Sequence, residues 1–359
     1  MYRNRGAAAF QQATVGCPVL RIWILGTSQF ALGCALLGAQ CYSITDLGAL
    51  GGRVSSAYAV NNWGQVAGSS LVAGDTAYHA FFWQNGEMID LGTLGGTASF
   101  AYAINDAGQI VGSAANPAGD LHAFLWRAGC QMSDLGTLGG RESIALSINQ
   151  YGQVAGRADN VAGESRAFLL GEDQMTDLGT LGGRTSMAWG INALGQVVGA
   201  SQRPAGAGHA FLYTSDGMAD LGPAGGNFST AHSINNSGEV VGQADFAGEL
   251  HAVFYSSEGK AADLGTLGGR SSNAWSINNF GEIVGASENA ARSQRAFLYR
   301  DGEMIDLNDL IPADSGWALI SANGINDQGQ IAGGGTIDGR THAYLLTRGC
   351  APLNGSSSR

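Results

Sequence analysis

Two residue types recur where they could do chemistry. His79, His122, His209, His251 and His342 each open a triplet of the form His-Ala-Phe, His-Ala-Val or His-Ala-Tyr, and they are five of the six histidines. The equivalent triplets elsewhere open with Arg166 and Arg295. Asp46, Asp90, Asp134, Asp177, Asp220, Asp263 and Asp306 each open Asp-Leu-Gly, or once Asp-Leu-Asn. Histidines and carboxylates together are the material of metal centres and of acid–base pairs. Arginine shares the histidine position, and a guanidinium is no ordinary metal ligand. The position therefore reads as a structural hydrogen bond or stack. The repeated Asp reads as a carboxylate accepting from backbone N–H groups of a Gly-rich turn. We expect no metal and no cofactor. Asp309 and Asp314 are the remaining acid–base candidates, suited to a hydrolase or lyase if burial splits their pKa values. The Gly-x-Ser-x-Gly, His-Glu-x-x-His, Cys-x-x-Cys and Gly-x-Gly-x-x-Gly patterns are absent, and no catalytic residue is assigned.

A third set of residues offers binding rather than catalysis. Inside a fixed frame, Ala-x-x-Ile/Val-Asn, the first variable position holds Tyr58, Tyr102, Leu146, Trp189, His232, Trp275 and Asn323. Aromatic rings with a His and an Asn can stack on, and hydrogen-bond to, a sugar or an aromatic ligand. The competing reading is packing of large side chains between neighbouring sheets. Trp317 joins this set from an unusual stretch. From the Asp to the frame Asn is 15 residues in six repeats but 20 in the last, from Asp306 to Asn326. That longer connection is either a lid or an adaptation beside a closure seam. Arg53, Arg141, Arg184 and Arg270, each following a Gly-Gly pair, are expected to form a modest positive cluster on the same face.

The elements that position these residues are set by a period. The Asp-Leu-Gly steps are 44, 44, 43, 43, 43 and 43 residues, and a fixed spacing of this size marks a repeat architecture. Each unit carries four short runs, as in Ser56–Asn61, Gln65–Ser69, His79–Trp83 and Glu87–Leu91. Their period-two character between Gly and Asn reads as strands. Asn61-Asn62-Trp63-Gly64 and its copies are hairpin links, with Gly supplying the positive φ. Four antiparallel strands per unit make one propeller blade. The expected fold is all-β: a seven-bladed β-propeller spanning residues 41–350. Repeating begins at Tyr42–Leu47, a fourth strand without its first three, and ends at His342–Leu346, a third strand without its fourth. The N-terminal strand is expected to complete the last blade and close the ring. In this register Cys41 and Cys350 fall in the same link, and a disulfide between them is expected, with Cys130 unpaired.

The whole chain has a formal net charge of −11, with Arg3, Arg5 and Arg21 ahead of residue 41. Acidity of this kind repels phosphate backbones, so no nucleic-acid partner is expected. Arg21 followed by a short apolar run reads as a secretory signal over residues 1–40, or a signal-anchor, and 351–359 as a disordered tail. No other stretch is apolar enough to span a membrane.

The His-Ala-Phe triplets, with Asp-Leu-Gly-Thr-Leu-Gly-Gly and Ile-Asn-x-x-Gly-Gln-Val-x-Gly, resemble the HAF-repeat family of bacterial extracellular repeat proteins over residues 42–346. The resemblance implies a secreted repeat protein and carries no activity with it. The expected function is a secreted (extracellular or periplasmic), monomeric, non-catalytic binding module. Its ligand would be a glycan, peptide or cell-surface partner, held by Tyr58, Tyr102, Trp189, His232, Trp275 and Trp317. A carboxylate-dependent hydrolase or lyase and a structural envelope or matrix protein are the alternatives.

Overall fold

The structure is a computed structural model and describes residues 42–171, 174–204 and 206–349. The expected leader (1–40), the tail (351–359) and both cysteines of the expected bridge, Cys41 and Cys350, lie outside the described residues.

Short alternating runs make the strands. In Ser99–Ile104 the side chains of Ser99, Ala101 and Ile104 are buried, while Phe100 and Tyr102 are half-buried. The run stops at Asn105. Its side-chain oxygen accepts from the N–H groups of Ala107 and Gln109, which pulls the backbone into a turn. Gly108 completes that turn at φ +71°, a conformation that a side chain resists.

Five sheets hold four antiparallel strands each, over residues 99–134, 139–177, 186–220, 229–263 and 268–306. A further sheet has eight strands. In it Gly51–Val60, Val66–Val72, Tyr78–Gln84 and Glu87–Asp90 meander in order, as do Ala318–Ile325, Ile331–Ile337 and Arg340–Arg348. The two meanders meet at one parallel bridge, Val54 to Thr341. The eighth strand, Tyr42–Asp46, runs antiparallel to the last, with Tyr42 opposite Arg348 and Asp46 opposite Tyr344.

Seven apolar clusters lie where one sheet backs on another. Ala67, Ala80 and Phe82 pack on Ala101, Ile110 and Phe124, for example. Ala332, Ala343 and Leu345 near the end of the chain pack on Ala57, Val66 and Phe81 near its start. Alanine on the facing strands lets sheets approach, and one large side chain per unit, a ring in every unit but that of Val253, fills the space. Phe81, Phe124, Phe168, Phe211 and Phe297 are each fully buried, which stabilises the fold by about 2–3 kcal/mol apiece. The long connection after Asp306 forms a single 3-10 turn, Leu307–Leu310. Its Leu307, Ile311 and Leu319 enter the cluster that holds Tyr42, Tyr344 and Leu346. Asn308 ties it down, accepting from the Leu319 N–H at 2.7 Å and donating to the Leu319 carbonyl at 3.0 Å. The extra residues therefore fill core beside the first strand.

The first strand of every sheet or meander carries one residue too many. Its register jumps between Ala57 and Ala59, Ala101 and Ala103, Ala145 and Ser147, and Ala188 and Gly190. It jumps again between Ala231 and Ser233, Ala274 and Ser276, and Ala322 and Gly324. The residue skipped at this jump is the variable member of the frame, Tyr58 through Asn323. Such a bulge frees one residue from the ladder and re-aims its side chain. The strand opposite must then be glycine. A Cβ at Gly112 would lie 1.8 Å from the Phe100 carbonyl oxygen and 2.8 Å from the Phe124 ring. The Gly of Gln-Val-x-Gly is thus demanded by the bulge on one side and the buried ring on the other.

Candidate functional site

The repeated histidines and aspartates prove to be partners of one another. His79 Nδ1 lies 2.9 Å from Asp90, His122 Nδ1 2.8 Å from Asp134, and His251 Nδ1 2.9 Å from Asp263. His209 with Asp220 and His342 with Asp46 repeat the pair at 3.0 Å. An ionised carboxylate only accepts, so Nδ1 carries the proton. The same carboxylates take the N–H of the glycine two residues on, as Asp90 does from Gly92 at 2.8 Å. The pair therefore fixes the start of a third strand to the end of a fourth. Where arginine replaces histidine, Arg295 reaches Asp306 at 4.0 Å, while Arg166 turns to Glu164. Among the described residues no group of three His, Cys, Asp or Glu is placed to hold a metal ion.

The bulges build a different kind of site. All seven bulge residues line one cavity of about 390 Å³, with Ile144, Met187 and Arg157 in its wall. His232 sits between two tryptophans, its ring centroid 5.4 Å from Trp189, edge-on, and 4.5 Å from Trp275. Tyr58 and Tyr102 meet at 5.6 Å. Asn323 donates to the Ala57 carbonyl at 2.8 Å. The side chains thus touch across sheet boundaries and also line the cavity. His232 Nδ1 donates to the Ala274 carbonyl at 3.0 Å. Burial pushes the imidazole pKa down to about 4, against the opposing pull of that hydrogen bond, so the ring is neutral near pH 7. Burial likewise raises the Tyr102 phenol. Arg157 is the one charged lining residue. It donates to Ser165 Oγ at 3.0 Å, with Glu142 and Asp159 at 3.7 and 3.8 Å. Met187, Trp189 and His232 also border a groove of about 450 Å³ that runs on past Thr230 and Phe228. Together these walls offer stacking faces, a neutral imidazole, an amide and a guanidinium, which suit binding of a ring-bearing ligand.

Three expectations need correction. Trp317 is not part of this cavity. Its ring packs edge-on against Tyr344 at 6.0 Å and joins the core beside the first strand, where Gly335 leaves room for it: a Cβ there would lie 3.1 Å from the indole. The arginines after Gly-Gly are not a free positive cluster. Arg53 pairs with Asp75 at 2.6 Å, Arg141 with Asp120 at 2.5 Å, Arg184 with Glu164 at 3.1 Å and Arg270 with Glu249 at 3.9 Å. Acids on the adjoining loops cancel them. Asp309 and Asp314 are exposed, and neither is brought to the cavity.

Beyond the cavity stands a ring of β-branched side chains, Val60, Ile104, Ile148, Ile191, Ile234, Ile277 and Ile325, 6–8% exposed. Below each is the frame asparagine. Asn61 donates to the Asn105 carbonyl at 3.0 Å, Asn105 to Asn149 at 3.0 Å, and Asn149 to Asn192 at 3.1 Å. Asn192, Asn235 and Asn278 continue to Asn235, Asn278 and Asn326, and Asn326 donates to the Asn61 carbonyl at 2.8 Å. Sequence reasoning assigned these asparagines to turns and missed the cycle.

The profile of a family described as Protein of unknown function (DUF3466) matches residues 183–344. No curated protein matches the chain in sequence. Among solved structures, a puromycin hydrolase superposes with a TM-score of 0.58 at 15% identity, over 86% of this chain and 54% of that one. A Mycobacterium tuberculosis puromycin-hydrolyzing peptidase gives 0.54 at 10% identity, over 85% and 56%. The β-propeller domain of the Trilobed protease from Pyrococcus furiosus gives 0.49 at 9% identity, over 70% and 82%. The chain spans about half the length of the first two. At these identities the likeness is one of fold alone: an all-β, β-propeller-like arrangement of four-stranded antiparallel sheets.

Proposed function

We propose that this chain is a non-catalytic binding protein, a seven-bladed β-propeller closed by its N-terminal strand, whose ligand enters the cavity walled by Tyr58, Tyr102, Trp189, His232 and Trp275. Two observations support the closed ring. The asparagine hydrogen bonds return from Asn326 to Asn61, and Tyr42–Asp46 lies beside Tyr344–Arg348 as a fourth strand lies beside a third elsewhere. The binding reading is carried by one observation: the position in each unit that a bulge frees also varies in chemistry, and all its copies line a single cavity. The ligand is a glycan or peptide that presents a ring to the tryptophans. Export to the periplasm or beyond, membership of the HAF-repeat proteins and a Cys41–Cys350 bridge belong to the same proposal. They rest on the leader-like residues 1–40, the triplets and the repeat register.

The test uses purified protein on glycan and peptide arrays, with affinity then measured by titration calorimetry, a readout that does not depend on the tryptophans replaced. Replacing Trp189 and Trp275 together by Ala is expected to weaken binding by about tenfold or more, given two lost aromatic contacts. An unchanged affinity in the double variant would remove the cavity as the binding site.

A further inference from the structure

The far side of the Ile/Val ring holds a second basin, of about 210 Å³. Its floor is the asparagine cycle. Its wall is the residue that follows each frame asparagine, including Asn62, Asp106, Gln150, Asn236, Asn279 and Asp327. Its lip is the next residue again, at the tip of each hairpin link: Trp63, Ala107, Tyr151, Leu194, Ser237, Phe280 and Gln328. Trp63, Tyr151, Leu194 and Phe280 are 73, 72, 72 and 75% exposed. A turn tip gains nothing for the fold from a large apolar side chain, and four on one lip mark a surface that meets something. Trp63 is held in place, because its Nε1 donates across the sheet boundary to the Asp106 carbonyl at 3.0 Å. That hydrogen bond ties the indole to the neighbouring hairpin link, whose Asp106 lines the basin.

We propose that this lip and basin form a second binding site, separate from the aromatic cavity, for a neutral polysaccharide. The layout argues for sugar over protein. Protein interfaces surround an apolar centre with a polar rim. Here the order is different: amides and carboxylates stand over the Ile/Val ring in the basin, and aromatics are set singly around the circumference, spaced by Ala107, Ser237 and Gln328. A pyranose has apolar faces and polar edges, so a ring resting on Trp63, Tyr151 or Phe280 turns its hydroxyls toward the basin. Side-chain amides both donate and accept, as hydroxyls do. Part of this capacity is already used: a tier of hydrogen bonds runs from Ala193 through Asn236, Asn279, Asp327 and Asn62 to Asp106. It skips Gln150, whose amide, among the described residues, has no partner in that tier and stands next to exposed Tyr151. Charge selects among sugars. Asp106 and Asp327 are carboxylates and no Lys or Arg lines the basin, so polyuronates and anionic lipid are repelled while uncharged hexose polymers are not.

The experiment is calorimetric titration of the purified protein with neutral hexaoses (β-1,3-glucan, β-1,4-glucan, chitin) and with oligouronates of equal length. The expected result is binding of a neutral hexaose and none of the uronates. Substituting Trp63, Tyr151 and Phe280 together by Ala should weaken it about tenfold or more, while the Trp189/Trp275 double variant binds it as wild type does. Tyr151 and Phe280 are exposed and Trp63 gives up one surface hydrogen bond, so the triple variant should stay folded and melt only slightly below wild type. Failure of every neutral hexaose to bind, equal binding of uronates, or an unmoved affinity in the triple variant each overturns the proposal. Sedimentation velocity adds one more outcome. Self-association abolished by the triple variant, with no sugar bound, would make the lip a protein interface instead.

Discussion

His232 offers a quantitative test of the cavity, because its environment leaves a signature in stability against pH. The ring is buried between Trp189 and Trp275 and its pKa falls from 6.5 to about 4. The folded-state value lies below the unfolded one, so the unfolded chain takes up a proton first as pH falls. Stability from this group is intact above about pH 6.5, declines as pH drops, and is fully lost below about pH 4. Each pH unit in that window costs about 1.4 kcal/mol, so the whole displacement is worth about 3 kcal/mol, to order of magnitude. His232→Phe keeps an aromatic ring between the tryptophans and removes the titration. Other carboxylates and histidines titrate in both proteins and cancel in the comparison. Urea unfolding of wild type and variant at pH 7.5, 6.5, 5.5 and 4.5 gives the difference directly. We expect the variant to be less stable at pH 7.5, where the lost hydrogen bond to Ala274 costs about 1 kcal/mol, and to gain on wild type steadily below pH 6.5. Parallel curves, with a constant offset from pH 7.5 to 4.5, would refute the buried neutral imidazole.

Three further outcomes follow from the frame. Gly112→Ala forces a methyl against the Phe100 carbonyl oxygen, and strand two must shift; a loss of about 3 kcal/mol or more in urea unfolding is expected. Asn326→Ala removes donors to the Asn61 carbonyl and to Gln330, and acceptors for the Gln328 and Gln330 N–H groups, in a buried site. A cost of about 2–3 kcal/mol is expected in the same assay, well above that of an exposed pair. Deleting Tyr42–Asp46 strips the Arg340–Arg348 strand of a neighbour and His342 of its carboxylate, so hydrogen exchange should accelerate first in the last meander if the ring is closed there. Unchanged protection of Tyr344–Leu346 would count against closure.

The parts of this molecule legible in sequence were those written within one strand or turn. Asn61 and Gly64 declare their hairpin because the turn chemistry is complete within four residues. The alternation of Ser99–Ile104 declares a strand for the same reason. What was hidden lay in relations between strands. His79 and Asp90 were each assigned a structural role, yet their pairing is a register fact, visible only once strand three is laid against strand four. Arg141 and Asp120 belong to neighbouring units, so a charge that looked free was already cancelled. Local composition misplaces Trp317, since the glycine that makes room for it, Gly335, is 18 residues further on.

The same logic explains why variation sits where it does. Most positions of the unit are bound twice, once by their own strand and once by a neighbour. Gly112 answers to a bulge and a buried ring, Asn105 to its own turn and to Asn61, and Asp90 to Gly92 and His79. A change there disturbs two elements at once. The bulge residue and the turn tip carry this double constraint less strictly, since their neighbour contacts differ from copy to copy. The bulge residue is left out of the ladder, and the tip stands clear of the sheet. They lie on opposite sides of the Ile/Val ring, so a change in one circle leaves the other in place. Seven copies of a rigid unit thereby carry two independent circles of exchangeable side chains, and those circles are where the chemistry differs from one copy to the next.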